Sequence, residues 1–247
     1  EVTILGHGNN ATYIQRYQDH ATAPATLVMD KSRGTQASPT TSANGDDLGR
    51  ILFRGYTNNG YYEAASIHSE VSGSGIGTGA DIPGELYFKT TTDGGTPTEH
   101  LRIYSDGAVK HSNGEAGRFY WTKQVAFTAG QTQNITFHLS GANVYGQVRV
   151  HMTGDYGNVN AIGSYEKMWS WGYNTSNTSN YGAGGAGTEV FSSGSTEGQL
   201  TYGSMSKTNA TTVVIPITNG NGSYTIQVFI YVEVTGAVGG IDYIDMT

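Results

Sequence analysis

The chain has 247 residues, of which 36 are glycine and 17 tyrosine; only 36% are apolar, and the formal net charge is -7. No stretch approaches the length of a membrane span, and the 13 basic residues form no cluster, which argues against membrane insertion and against a nucleic-acid surface. With no cysteine, disulfides, thiolate metal sites and a cysteine nucleophile are excluded, so stability needs another source, and burial between copies is the evident one.

Long helix-period patterns are absent, and the composition favours strand and turn. The chain begins at Glu1-Val-Thr-Ile, already strand-like, which reads as a boundary inside a longer protein. An apolar-x-apolar unit then recurs at Leu27/Met29, Ile51/Phe53, Ala65/Ile67, Leu86/Phe88 and Leu101/Ile103. Each unit is flanked by Gly, Asp, Asn or Thr. The spacing is irregular, so this is no solenoid repeat. Gly73-x-Gly75-x-Gly77-x-Gly79 lacks a strand-to-helix context and reads as an elbow between strands, not a nucleotide loop. Asp81–Lys110 is the most informative stretch: two short strands at period two, a Thr/Gly/Asp-rich loop between them, and Ser105-Asp-Gly-Ala as a closing turn.

Such strands bury one or two side chains each. For a single chain that does not offset a backbone ordering cost of roughly 1–2 kcal/mol per residue. Three chains about a common axis would close the core and remove the exposed edges. Leu27, Met29, Ile51, Phe53, Ile67, Leu86, Phe88, Leu101 and Ile103 are the expected trimer core; a monomeric sandwich with a poor core is the alternative.

Character changes near Gly117. Residues 1–118 carry 22 of the 33 charges and none of the three tryptophans. The turn-rich run His111–Arg118 marks the boundary between a shaft, 1–117, and a second domain, 118–247. In the latter, Val125–Phe127, Ile135–Leu139, Val144–Met152, Tyr165–Trp171, Leu200–Met205, Thr212–Ile217, Tyr224–Val234 and Ile241–Ile244 read as strands. They suit an antiparallel, jelly-roll-like β-sandwich, with Pro216 placing its strand at an edge or a strand end.

The runs Gly45-Asp-Asp-Leu-Gly-Arg-Ile-Leu-Phe-Arg-Gly55, Ala64-Ala-Ser-Ile67, Pro83-Gly-Glu-Leu-Tyr-Phe-Lys-Thr-Thr91 and Thr98-Glu-His-Leu-Arg-Ile-Tyr-Ser-Asp-Gly-Ala-Val109 resemble the shaft of bacteriophage tail fibres. Leu27-Val-Met-Asp-Lys-Ser-Arg-Gly-Thr35 is similar to the run that precedes them in that family. The resemblance covers about residues 25–110. It implies an intertwined homotrimeric β-fibre or β-helical shaft on the virion, ending in a tip that attaches to a host cell-surface receptor. That receptor would be a glycan such as lipopolysaccharide, or an outer-membrane protein. Other tail proteins would be met through a missing N-terminal part. Such shafts often continue into a self-cleaving chaperone domain with a Ser-Lys pair; here a Tyr/Trp-rich domain follows instead.

The seven histidines show no His-x-His run, and no metal or other cofactor is expected, although one His68 or His111 per chain could meet on a trimer axis. Some tailspikes hydrolyse polysaccharide with paired carboxylates, but Asp155, Glu166, Glu189, Glu197 and Glu233 show no pairing spacing, and no catalytic residues are expected. Trp169, Trp171 and Tyr173 share one side of a strand, as core or as a platform for sugar rings. The adjoining Asn/Gly-rich run has the composition of an exposed loop. Trp169, Trp171, Tyr173, Asn174, Asn177, Asn180 and Tyr181 are the candidate receptor contacts. The expectation is an adhesin, with a polysaccharide depolymerase and a purely structural fibre segment as the rival readings.

Overall fold

A computed structural model describes residues 14, 24–73, 76, 81–113, 116–140, 144–156, 162–173, 185–194, 200–209 and 211–247. All regular structure among them is β. The strands are β1 (Arg33–Thr35), β2 (Ser38–Thr40), β3 (Asp47–Thr57), β4 (Gly60–Val71), β5 (Gly84–Thr91), β6 (Pro97–Ile103), β7 (Val109–Asn113), β8 (Ala116–Phe127) and β9 (Thr132–Leu139). They continue with β10 (Val144–Tyr156), β11 (Ile162–Tyr173), β12 (Thr188–Gly194), β13 (Leu200–Tyr202), β14 (Ser206–Asn209), β15 (Thr212–Asn219), β16 (Ile226–Ala237) and β17 (Ile241–Met246).

One antiparallel sheet holds ten of these strands in the order β12-β11-β10-β16-β8-β7-β6-β5-β4-β3. A second has the order β13-β15-β9-β17, with β14 also paired to β15. The large sheet runs without interruption through residues 117 and 118, because β8 pairs with β7 on one side and β16 on the other. Most of the expected strands prove longer than their apolar signal. Val125–Phe127 is only the end of β8, while Ile51–Phe53 and Ala65–Ile67 are the middles of an 11-residue and a 12-residue strand.

Leu27–Met29, by contrast, forms no strand. Its side chains are 63% and 45% exposed, and Met29 lies against the backbone of Gly49, where a Cβ would meet its sulfur at 2.8 Å. Nearby, the Arg33 guanidinium grips Asp46 with two 2.7 Å hydrogen bonds, joining the two earliest fibre-like runs. Pro216 is not at an edge. It sits inside β15 at the gap between β14 and β13, where its carbonyl accepts from Gly203 N at 2.7 Å and its missing N–H leaves no ladder bond unmade.

The core lies between the second sheet and the β8–β16–β10–β11 part of the large one. Phe137 of β9 packs on Trp171 of β11 at 5.2 Å between ring centroids. The Tyr202 hydroxyl reaches across to the carbonyls of Val150 and Tyr165, at 3.0 and 3.1 Å. Along β16 the alternation is complete: Ile226, Val228, Ile230, Val232 and Val234 are all fully buried. Asn219, buried at the end of β15, closes one end of the core. Its amide donates to the carbonyls of Phe127, Thr128 and Tyr224.

Cross-strand register reveals a change of polarity within the large sheet. Directly paired residues share a face, and neighbours along a strand take opposite faces. The row Arg50–His68–Tyr87–Arg102–Lys110–Phe119–Val234–Val148–Trp169 crosses β3 to β11 on one face. The adjacent row, Ile51–Ile67–Phe88–Leu101–His111–Arg118–Thr235–Gln147–Ser170, lies on the other. The first is polar up to β7 and apolar from β8; the second is apolar up to β6 and polar beyond. The face covered by the second sheet is therefore greasy only where that sheet covers it.

Candidate functional site: an uncovered apolar face and a junction pocket

Two surfaces of the β3–β7 half carry unusual chemistry. The first is the apolar face. Ile51, Phe53 and Ile103 are 42%, 53% and 38% exposed, and Ile67, Leu86, Phe88 and Leu101 are half-buried. These are seven of the nine residues expected to form a shared core, and the register brings them together on one side of four strands. Leu27 does not join them in a strand; Met29 reaches the same face only at Gly49. A contiguous apolar strip of this kind is uncommon on a monomer.

The opposite face of the same strands is charged and enclosed. Arg102 donates to Glu99 through Nε and Nη2, at 3.1 and 2.6 Å, and to Glu85 through Nη1 at 3.1 Å. Lys110 Nζ stands 3.6 Å from Glu99. Tyr87 donates to Glu85 at 3.0 Å, and the Arg102 guanidinium covers its ring at 4.2 Å. Strand alternation explains the grouping, because Glu85 and Tyr87 alternate with Leu86 and Phe88. Burial raises the Glu99 carboxyl, but the hydrogen bonds and charge of Arg102, with Lys110, outweigh it and hold the group below its ordinary value. Burial lowers Lys110 despite Glu99, and raises the Tyr87 and Tyr104 hydroxyls.

Where this charged face meets β17 there is a pocket of about 690 Å³. Glu85, Tyr87, Arg102 and Tyr104 line it, together with Asp242 and Tyr243 of β17. The Tyr104 hydroxyl is buried without a hydrogen-bond partner among the described residues. Nothing in the apolar-x-apolar reading singled these residues out. The signal was the intervening positions, where Glu85, Tyr87 and Arg102 are more charged and aromatic than a solvated strand face requires.

Asp47, His68 and Glu70 bring three potential metal donors within 4.8 Å of one another. Two of them are already paired: His68 Nε2 is 2.6 Å from Asp47 Oδ1, and Arg50 Nη2 is 3.7 Å from Asp47 Oδ2. His68 lies on the charged face and His111 on the apolar one, so they do not form a shared site within the chain.

Trp169 and Trp171 do share a strand face, but it is the core face, where they are 1% and 4% exposed. Trp169 Nε1 donates to Gly185 O at 3.1 Å, and the backbone at Gly187 lies so close that a Cβ there would stand 2.5 Å from the indole. Neither ring offers a surface to a ligand, which corrects their assignment as receptor contacts. The Tyr173 side chain and Asn174, Asn177, Asn180 and Tyr181 lie outside the described residues.

Of the carboxylates considered for hydrolysis, Glu166 pairs with Arg149 and His151, each at 3.2 Å, and Glu233 stands 3.7 Å from Arg118. Glu189 accepts from Ser192 Oγ at 2.9 Å. The Asp155 side chain and Glu197 lie outside the described residues.

No family model matches the chain, and no curated protein matches it.

Proposed function

We propose that the chain is part of a bacteriophage tail fibre: a homotrimeric adhesin whose β3–β7 half contributes to an intertwined shaft and whose jelly-roll-like sandwich forms a tip that attaches the virion to its host. The observation that carries this reading is the uncovered apolar face of β3–β6. Those strands present Ile51, Phe53, Ile67, Leu86, Phe88, Leu101 and Ile103 on the side that the second sheet does not cover. Two further copies of the same face would remove that surface from water and give the shaft a core. The order and spacing of the fibre-like runs over residues 25–110 support the same reading.

The proposed work is binding, with no bond made or broken. Glu166 and Glu233, held against cations, are suited to fixing strand geometry. Three tips carried together would turn weak contacts into firm attachment through effective concentration. Light scattering gives the first test: the expected mass is three times the 26.2 kDa chain, and a stable monomer at micromolar concentration overturns the shaft assignment. The second test is competition. Purified trimer should block adsorption of virions that carry it, and folded trimer that leaves adsorption unchanged removes the adhesin role.

A further inference from the structure

The junction pocket lies on the opposite side of the β4–β6 strands from the apolar strip, because Glu85, Tyr87 and Arg102 alternate with Leu86, Phe88, Leu101 and Ile103. Association through the strip leaves the pocket open. Its volume of about 690 Å³ falls in the range that holds small organic ligands.

Its charge is one-sided. Glu70, Glu85, Asp106, Asp242 and Asp245 line it, against Arg102 as the single cation among its lining residues. Arg102 is committed to Glu85 and Glu99 and offers no free fork to an incoming anion. The Glu70 and Asp242 carboxylates accept no hydrogen bond from the described residues, which leaves their oxygens as acceptors for a ligand's O–H or N–H groups. The Tyr104 hydroxyl, on a residue of the pocket lining, is buried with no hydrogen-bond partner among the described residues, a state that costs free energy.

Tyr243 supplies the apolar surface. One side of its ring is stacked on His138, with centroids 4.0 Å apart and planes 14° from parallel. The residue is still 44% exposed and borders the pocket. An exposed ring held in place by stacking on His138 suits the C–H face of a sugar, while flanking carboxylates suit its hydroxyls.

We infer that this pocket binds a sugar unit that is uncharged or carries an amine, stacked on Tyr243 and hydrogen-bonded to Asp242 and Glu70. An amine gains from the acidic lining; a carboxylate or phosphate is repelled by it. The pocket as the site of host contact rests on the adhesin reading, whereas its capacity to bind sugar does not.

Calorimetric titration of the full chain with three probes tests this: a glucosamine trisaccharide, maltotriose and trigalacturonate. Glucosamine trisaccharide should bind most tightly, maltotriose next, and trigalacturonate at least about tenfold more weakly than the first. Tyr243→Ala should weaken the first two by about tenfold, and Asp242→Asn should weaken chiefly the glucosamine probe. The inference is overturned by absence of binding to all three at millimolar concentration by folded protein. Tightest binding to trigalacturonate also overturns it, as does wild-type affinity in both variants. If wild-type chain and both variants block virion adsorption equally, the pocket falls as the site of host contact and the adhesin stands. If wild type blocks nothing, the adhesin falls, and the titrations still decide the pocket.

Discussion

The two halves of the ten-stranded sheet use the same backbone arrangement and opposite side-chain logic. From β8 to β11 the covered face is apolar and the open face polar, as in a sandwich that folds on its own account. From β3 to β6 the arrangement inverts: the charged row Arg50–His68–Tyr87–Arg102 faces one way and the apolar row Ile51–Ile67–Phe88–Leu101 the other. A sheet can change which face it buries without a break in its ladder, provided that a different partner covers each half. One partner is in the chain, and the other is proposed to be further copies of it.

The largest predicted effect separates the halves by concentration dependence. Phe88→Asp places a charge at the centre of the apolar strip. It should convert the assembly to monomer on size-exclusion with light scattering, while the far-ultraviolet spectrum of the sandwich persists. A variant that stays trimeric breaks the comparison. Trp169→Ala removes a fully buried ring from the other half. It should cost about 3–5 kcal/mol in denaturant unfolding, and the cost should not depend on protein concentration.

Much of this was legible in the sequence, for a physical reason. Period-two alternation in Val148/Val150/Met152 and Ile226/Val228/Ile230/Val232 encodes face directly, so the sandwich strands were readable. Four of the five apolar-x-apolar units encode face equally well, while Leu27/Met29 forms no strand; none encodes length, because β3 and β4 extend through Arg54, Tyr56, Tyr61 and Tyr62, which lie outside those units. Strand β7 (Val109–Asn113) was invisible: its sequence, VKHSN, is polar, and pairing to β6 and β8 alone makes it a strand. The pocket required knowing that β17 approaches Tyr104, a tertiary fact that local periodicity does not carry. Trp169 and Trp171 show the converse difficulty. Period two correctly put them on one face, but which face was buried depended on the second sheet.

The charged network sharpens the contrast by a smaller effect. Glu99→Gln leaves Lys110 and part of Arg102 without the carboxylate that neutralises them, although Arg102 keeps Glu85. The expected cost is about 2–3 kcal/mol, below that of a fully enclosed pair because the Arg102 side chain remains 25% exposed. Lys110→Met should be close to neutral, since it exchanges a buried cation for an apolar chain of similar length. Equal losses in both variants would mean that the pair holds the sheet by Coulomb attraction, not that Glu99 compensates a buried charge. Asn219→Ala, which strands the carbonyls of Phe127, Thr128 and Tyr224, should cost about 1–3 kcal/mol in the sandwich alone.

Acid should distinguish the halves most gently. The Glu99 carboxyl lies below its ordinary value of 4.5 in the folded chain, and Asp46, held by Arg33 and the Ala43 N–H, lies below 3.8. A carboxyl whose folded value is lowered contributes stability that is complete above the unfolded value and disappears as pH falls through the folded one. Both groups belong to the β3–β7 half and its leading hairpin, whereas the interior between the sheets is a stack of Ile, Val, Phe and Trp side chains with nothing of this kind to protonate. Lowering the pH from 7 towards 3 should therefore reduce amide protection, measured against the intrinsic exchange rate at each pH, in β5, β6 and β7 before it does so in β10 and β16. Simultaneous loss of protection in all five strands would show that the continuous ladder through β8 couples the halves more strongly than their separate cores divide them.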